Sequence, residues 1–220
     1  MDLAQSLNPL AAALVLGGTL GATALRCGLA DCGQALRALA CLGRKPFDVD
    51  RTRAELAAQI QEIAQDGLYR AEPHHSGDGE FDALADRLIN QRSVKALHEE
   101  HRRHRDRRLA GAARARDVLV QAAELAPVMG MAGTLLSLGS MSVGQGGYVA
   151  AIGMAVGTTF FGLVCAHFLF APLAAAIARR SHAEECARAE LLEWLAAGVE
   201  AAVRPRRPAP MAAGDTRAAA

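Results

Sequence analysis

The chain has 220 residues, of which 51% are hydrophobic and 4% aromatic, and its formal net charge at pH 7 is +1. The charge is strongly segregated, since no Lys or Arg precedes Arg26 and none lies between Arg116 and Arg179. Apolar residues gathered in charge-free blocks are typical of a small integral membrane protein and argue against a soluble globular domain.

The first charge-free block covers residues 3–25. It is long enough for a hydrocarbon core, which takes roughly 20 apolar residues to cross. It lacks the basic start of a secretory signal, and Pro9 lies in the first turn, where a helix tolerates proline. We therefore predict a transmembrane helix at 3–25.

Residues 26–122 are predicted to form a helical cytoplasmic domain. Apolar residues recur at a spacing of three to four around Leu56 and again around Phe81, and no alternating strand pattern occurs. The stretch 101–116 holds seven Arg against one Asp on a helix that runs into the next span. It is either a solvated helix that fixes orientation or a surface for anionic lipid headgroups. Because no aromatic residues accompany the arginines, nucleic-acid binding is not indicated.

The stretch Leu125–Ala178 contains no Asp, Glu, Lys or Arg and is interrupted only by the small, polar run 140–147. This pattern predicts a hairpin of two transmembrane helices, at 123–145 and 148–178. An amphipathic cytoplasmic helix follows at 179–203, and the tail 204–220 is rich in Pro, Ala and Arg and is predicted to be disordered.

The basic residues predict the topology. They flank the first span on its C-terminal side, precede the second and follow the third, whereas the N-terminus and the run 140–147 carry none. The positive-inside rule then puts the N-terminus outside and the C-terminus in the cytoplasm. The predicted fold class is an all-α integral membrane protein with three transmembrane helices and a helical cytoplasmic domain.

No catalytic, cofactor or metal site is predicted. The five cysteines include no Cys-x-x-Cys pair, and His98, His101 and His104 recur among arginines that would repel a cation. Phosphate-binding loops and nucleophile elbows are missing from the sequence, so nothing supports an enzyme.

The hairpin carries small and hydroxylated residues. Its glycines would let helices approach closely, and its threonines could hydrate a narrow polar path. We take as packing positions Gly130, Gly133, Gly157 and Gly162, and as path residues Thr134, Thr158 and Thr159. Pro127 and Pro172 are predicted to kink the two arms. His167 is an ionisable side chain within a predicted span. Two hypotheses remain open for it, a hydrogen bond to a neighbouring helix and a functional role.

Four segments resemble a known family. Residues 126–135 (APVMGMAGTL) are similar to the third transmembrane segment of MotA, the flagellar motor stator subunit, and of its relatives in the MotA/TolQ/ExbB proton-channel superfamily. Residues 156–162 (VGTTFFG) before Pro172 resemble the fourth, and Asn8-Pro9 with VLGGTL at 15–20 resembles the second. Residues 67–72 (GLYRAE) are similar to a cytoplasmic element of the same proteins.

The resemblance implies a pentamer of this chain in the bacterial inner membrane around a dimer of a single-span partner of the MotB type. The partner would carry the ion-binding carboxylate, and ion flow, of H⁺ or Na⁺, would drive flagellar rotation. Pro127 and Pro172 match the family's two functional prolines, Thr134 and Thr159 match hydroxyls on the ion path, and Glu72, with Arg70 beside it, matches a position that faces the rotor protein FliG.

Two departures accompany the resemblance. The first MotA span has no counterpart, and the basic residue expected eight positions before Glu72 is Ala64. The three-span layout instead resembles TolQ/ExbB-like energisers of outer-membrane transport. A non-conducting membrane scaffold is a third hypothesis.

Overall fold

The computed structural model describes residues 9–44, 47–66, 79–91, 94–139 and 145–203. Every regular element within these ranges is a helix. The α-helices are α1 Pro9–Cys27, α2 Leu29–Leu42, α3 Val49–Asp66, α4 Gly79–Gln91, α5 Val94–Gly139, α6 Gln145–Val164 and α7 Ala171–Val203. A six-residue π-helical segment, Cys165–Phe170, joins α6 to α7.

Three helical stretches are long and apolar enough to cross a membrane. They are Pro9–Cys27, Lys95–Gly139 and Tyr148–Ala201. The predicted fold class is therefore confirmed for the described part of the chain. Helix α6 begins at Gln145, inside the polar run that separates the two predicted spans, and most of that run and the predicted disordered tail lie in ranges 140–144 and 204–220, outside the described residues.

The chain forms two compact units. The first comprises the residues up to Phe47 together with Arg103–Ala187, and the second comprises Asp48–Arg102 together with the residues from Arg188 onward. Helices α1, α2 and α6, the π-helical segment, and parts of α5 and α7 build the first unit.

In the first unit, α1 packs along α6 through a narrow stripe. Ala11, Val15, Thr19 and Thr23 recur every four residues and are all buried. This spacing places them on one helix face. The turn into α2 is made at Gly28, whose φ of 84° lies in the left-handed region that residues with a Cβ rarely adopt.

Helices α5 and α6 meet backbone to backbone at a pair of glycines. A Cβ added to Gly130 would lie 2.8 Å from the carbonyl oxygen of Thr158, and one added to Gly162 would lie 2.7 Å from the carbonyl oxygen of Ala126. Neither position can hold even a methyl group without a shift of the facing helix. The sequence permits this close approach because both crossing residues lack side chains.

A second contact in the first unit joins α2, α5 and α7, where small residues let the helices approach one another. The buried cluster consists of Ala35, Ala115, Val118, Leu119, Ala122, Ala126, Cys165, Ala166, Phe170, Ala174 and Ile177. The C-terminal end of α2 is secured by Arg180, whose guanidinium donates to the carbonyl oxygens of Leu42 at 2.7 Å and Arg44 at 2.9 Å. These bonds satisfy carbonyls for which the helix offers no partner.

The second unit encloses a buried ionic cluster beside its apolar core. The Glu80 carboxylate, 4% exposed, lies 2.9 Å from Nδ1 of His101 and accepts a hydrogen bond of 2.8 Å from Arg188. The guanidinium of Arg188 also lies 5.9 Å from the ring centroid of Phe81. Nearby, Arg53 lies 5.0 Å over the ring of Trp194. Pairing and hydrogen bonding compensate the cost of removing these charges from water.

The glycine contact predicts a steric cost for Gly130→Ala and Gly162→Ala. Each added methyl must displace a facing backbone, so we expect a loss of about 1–3 kcal/mol of stability and a lower Tm in detergent. Gly153→Ala on α6 is the matched control, because nothing lies within 4 Å of its added Cβ. Equal Tm values for all three variants would contradict this account of the crossing.

The buried cluster predicts that Glu80→Gln destabilises the second unit. The substitution removes the negative charge that lies 2.9 Å from His101 and 2.8 Å from Arg188, and breaking a buried ion pair in this way costs about 3–5 kcal/mol. Glu55→Gln makes the same change in the Arg51–Glu55 pair, where the Arg51 side chain is 73% exposed, and should cost less than about 1 kcal/mol. Thermal unfolding of the two purified variants compares these losses directly.

Candidate functional site

The predicted hydroxyl-bearing residues cluster at the middle of the α5–α6 contact. Thr158 is completely buried, and its side chain fills the space beside Gly133, where an added Cβ would lie 2.9 Å from Thr158 Cβ. Its hydroxyl donates to the carbonyl oxygen of Ala155 at 2.9 Å. Thr158 is therefore packed between two helices of its own chain.

Thr134 and Thr159 are half-buried, in contrast to Thr158. The Thr159 hydroxyl donates to the Ala155 carbonyl oxygen at 3.3 Å, and the Thr134 hydroxyl donates to the Met131 carbonyl oxygen at 2.6 Å. Both protons are thus bound within their own helices. A hydroxyl oxygen retains lone pairs after donating its proton, so these side chains can accept hydrogen bonds from water or coordinate a cation.

The predicted packing glycines serve two different contacts. Gly130, Gly133 and Gly162 lie at the α5–α6 crossing described above. Gly157 instead faces α1, where its added Cβ would lie 3.7 Å from Cβ of Ala11, an ordinary van der Waals distance. Gly130 and Gly162 are thus needed for backbone approach, Gly133 makes room for the side chain of Thr158, and Gly157 has room for a methyl group.

The two prolines occupy different backbone environments. Helix α5 continues through Pro127, whose Cα would lie 3.3 Å from a Cβ added at Gly162, so this proline borders the crossing. Pro172 follows the π-helical segment, in which the Ala171 N–H bonds to the carbonyl oxygen of Ala166, five residues earlier.

The π-helical segment has a physical cause in Pro172. Proline has no N–H to donate, and its ring collides with the carbonyl four residues earlier, here that of Phe168. Widening the turn before the proline moves that carbonyl away and keeps the helix continuous. His167 lies within the widened segment and is exposed.

The remaining predicted positions have different outcomes. Arg70 and Glu72, the predicted rotor contact, lie outside the described residues. The evenly spaced histidines separate: His101 pairs with Glu80, while His98 lies 3.5 Å from Glu193.

Sequence reasoning did not single out three further hydroxyls in the first unit. Buried Thr19 and Thr23 donate to the carbonyl oxygens of Val15 at 2.6 Å and Thr19 at 2.7 Å, and buried Ser137 donates to that of Gly133 at 2.7 Å. The four-residue spacing of the buried α1 stripe is the signal that could have revealed the two threonines.

The overall fold matches solved structures of stator complexes. The flagellar MotAB stator complex from Bacillus subtilis gives a TM-score of 0.79 at 17% identity, over 90% of this chain and 81% of that chain. The C. jejuni MotAB structure gives 0.77 at 16% identity, over 91% and 81%. At these identities the likeness establishes the fold. No curated protein matches the sequence.

The amino-acid sequence itself matches a known protein family. The model of the MotA/TolQ/ExbB proton channel family matches residues 59–190, which is more than half of the 220 residues. The matched range begins in α3 and includes the α5–α6 crossing, the π-helical segment and most of α7. The chain therefore belongs to the MotA/TolQ/ExbB proton channel family.

Proposed function

We propose that this chain is an ion-conducting stator subunit of the MotA type, which couples proton or sodium flow to flagellar rotation together with a MotB-like partner. The observation that carries the proposal is the fold match to two MotAB structures over nine-tenths of this chain. The proposal places the protein in the bacterial inner membrane, with its N-terminus outside and its C-terminus in the cytoplasm, as the distribution of basic residues favours.

The chemistry of the hairpin supports a path that needs a second chain. No Asp, Glu, Lys or Arg occurs from Leu125 to Ala178, so this stretch offers an ion only hydroxyl and carbonyl oxygens, apart from His167. Proton relays across membranes are built from ionisable side chains, most often carboxylates. We assign that carboxylate to a single-span partner and the half-buried Thr134 and Thr159 to the wall that faces it.

The same reasoning assigns Thr158 to packing. Its side chain has no exposed surface and its hydroxyl is bonded within the helix, so it supports the position of Thr159 without facing the path. Pro127 and Pro172 lie near the proposed cytoplasmic ends of the two spans. A change in helix bend there would move Thr134 and Thr159 relative to a partner. Glu72 and Arg70 complete the proposal as contacts for a rotor protein such as FliG.

Co-expression with the MotB-like protein of the same organism tests the assembly. We expect a complex with more copies of this chain than of the partner, a pentamer around a dimer, as measured by native mass spectrometry. A stable monomer that ignores such a partner would refute the stator assignment. A complex formed instead with a short periplasmic partner would support the energiser of outer-membrane transport.

Removing the Thr159 hydroxyl tests conduction. Thr159→Val keeps the shape but withdraws one acceptor, a loss of about 1–1.5 kcal/mol, so we expect ion flux or ion-driven motility to fall by about tenfold. Thr23→Val is the matched control, because its buried hydroxyl bonds its own helix on α1. Membrane insertion should be equal in both variants, and unchanged flux in Thr159→Val would favour the non-conducting scaffold.

A further inference from the structure

The first unit contains a cavity that the proposed path does not yet use. Its volume is about 460 Å³. Helix α5 forms one wall and the π-helical segment with the start of α7 forms the other. The lining residues are Arg116, Val120, Ala123, Glu124, Ala166, His167, Ala171, Ala174 and Ala175.

Three ionisable side chains face this otherwise apolar cavity. Glu124 and Arg116 come from α5, with 62% and 53% of their side-chain surface exposed, and His167 comes from the widened π turn. From α1, Arg26 Nη1 approaches Glu124 Oε2 at 4.0 Å. Carboxylates and imidazoles are the side chains that proteins most often use to accept and donate protons.

The cavity continues the threonine face. Along α5, Arg116, Val120, Ala123, Pro127 and Thr134 follow one another at spacings of four, three, four and seven residues. Such spacings place residues on a single face of a helix. The side of α5 that carries Thr134 at mid-membrane therefore leads directly to the cavity at the other end of the span.

The positions of Glu124 and His167 along the span restrict what can contact the cavity side of α5. Glu124 directly precedes the charge-free stretch, and His167 lies twelve residues before Arg179, inside that stretch. An exposed ionisable group inside a span, as His167 is, is costly against lipid and normally faces water or another protein. The cavity face thus belongs to the hydrated interior of the assembly.

Resting on the proposed function, we infer that this cavity is the cytoplasmic exit of the ion route, where Glu124 and His167 carry protons to cytosolic water. A proton that arrives along the Thr134 face binds the imidazole of His167 and is then passed through water in the cavity to the carboxylate of Glu124. Release to water in the cavity returns each group to its starting charge, so one proton enters and one leaves per cycle. The exit is contributed by this chain, whereas the mid-membrane carboxylate belongs to the partner.

Proton flux through the reconstituted complex with its partner tests the inference. In liposomes with a pH-sensitive dye, Glu124→Gln and His167→Gln should each lower the flux by about tenfold. They should also alter its dependence on pH at the cytoplasmic face and leave its dependence on the opposite face unchanged. A purely structural role would not produce this one-sided change in the pH profile.

Matched controls exist on the same helices. Asp106→Asn on α5 and His182→Gln on α7 make the same chemical changes at exposed positions that do not line the cavity, and both should conduct within about twofold of the wild type. If the wild type conducts and the two cavity variants conduct equally well, the exit assignment is overturned while the stator function stands. A wild-type complex that conducts no ions overturns both, and sodium flux that is independent of cytoplasmic pH overturns the exit alone.

A labelling experiment checks the cavity without relying on conduction. Ala171→Cys, an exposed position on the cavity wall, should react with a membrane-impermeant maleimide added from the cytoplasmic side and not from the opposite side. Peptide mass spectrometry separates this label from those on the five native cysteines. A residue 171 thiol that stays unlabelled from the cytoplasmic side would show a cavity closed to cytosolic water and overturn the inference.

Discussion

The contact between Gly130 and Gly162 sets the separation of the two central helices, and the geometry of the site follows from it. Because backbone meets backbone there, the side chains on either side of the crossing have fixed neighbours. Thr158 is enclosed beside Gly133, and Thr159, one residue later, is turned partly outward. A residue with a Cβ at either glycine would separate the helices and remove this difference between adjacent threonines.

The hairpin is chemically incomplete, and the incompleteness has a physical rationale. The hydroxyls of Thr134 and Thr159 each donate their proton to their own helix, so these side chains need no other partner to remain in a membrane. The same bonds leave oxygen lone pairs available. A surface lined with such hydroxyls is stable alone. Under the proposal above, it helps to bind an ion only when another chain supplies the charge.

The spans could be predicted from the sequence because crossing hydrocarbon requires a continuous apolar run, a property of local composition. The pairing of Glu80 with Arg188 could not, since 108 residues separate the two and local patterns do not select one partner among 24 basic residues. Pro172 predicted a disturbed helix, but a proline alone does not decide between a kink and a π turn. The sequence does not distinguish Thr158 from Thr159, because the difference in their burial depends on the position of the facing helix.

The contact of Arg53 with Trp194 in the second unit has a spectroscopic consequence. Trp194 is the single tryptophan of the chain, so its indole dominates emission excited near the red edge of protein absorption. That emission originates in the unit that carries the buried ionic cluster and contains no contribution from the glycine crossing. Fluorescence therefore follows one unit selectively, and melting of the other can be separated from it by a probe of total helix content.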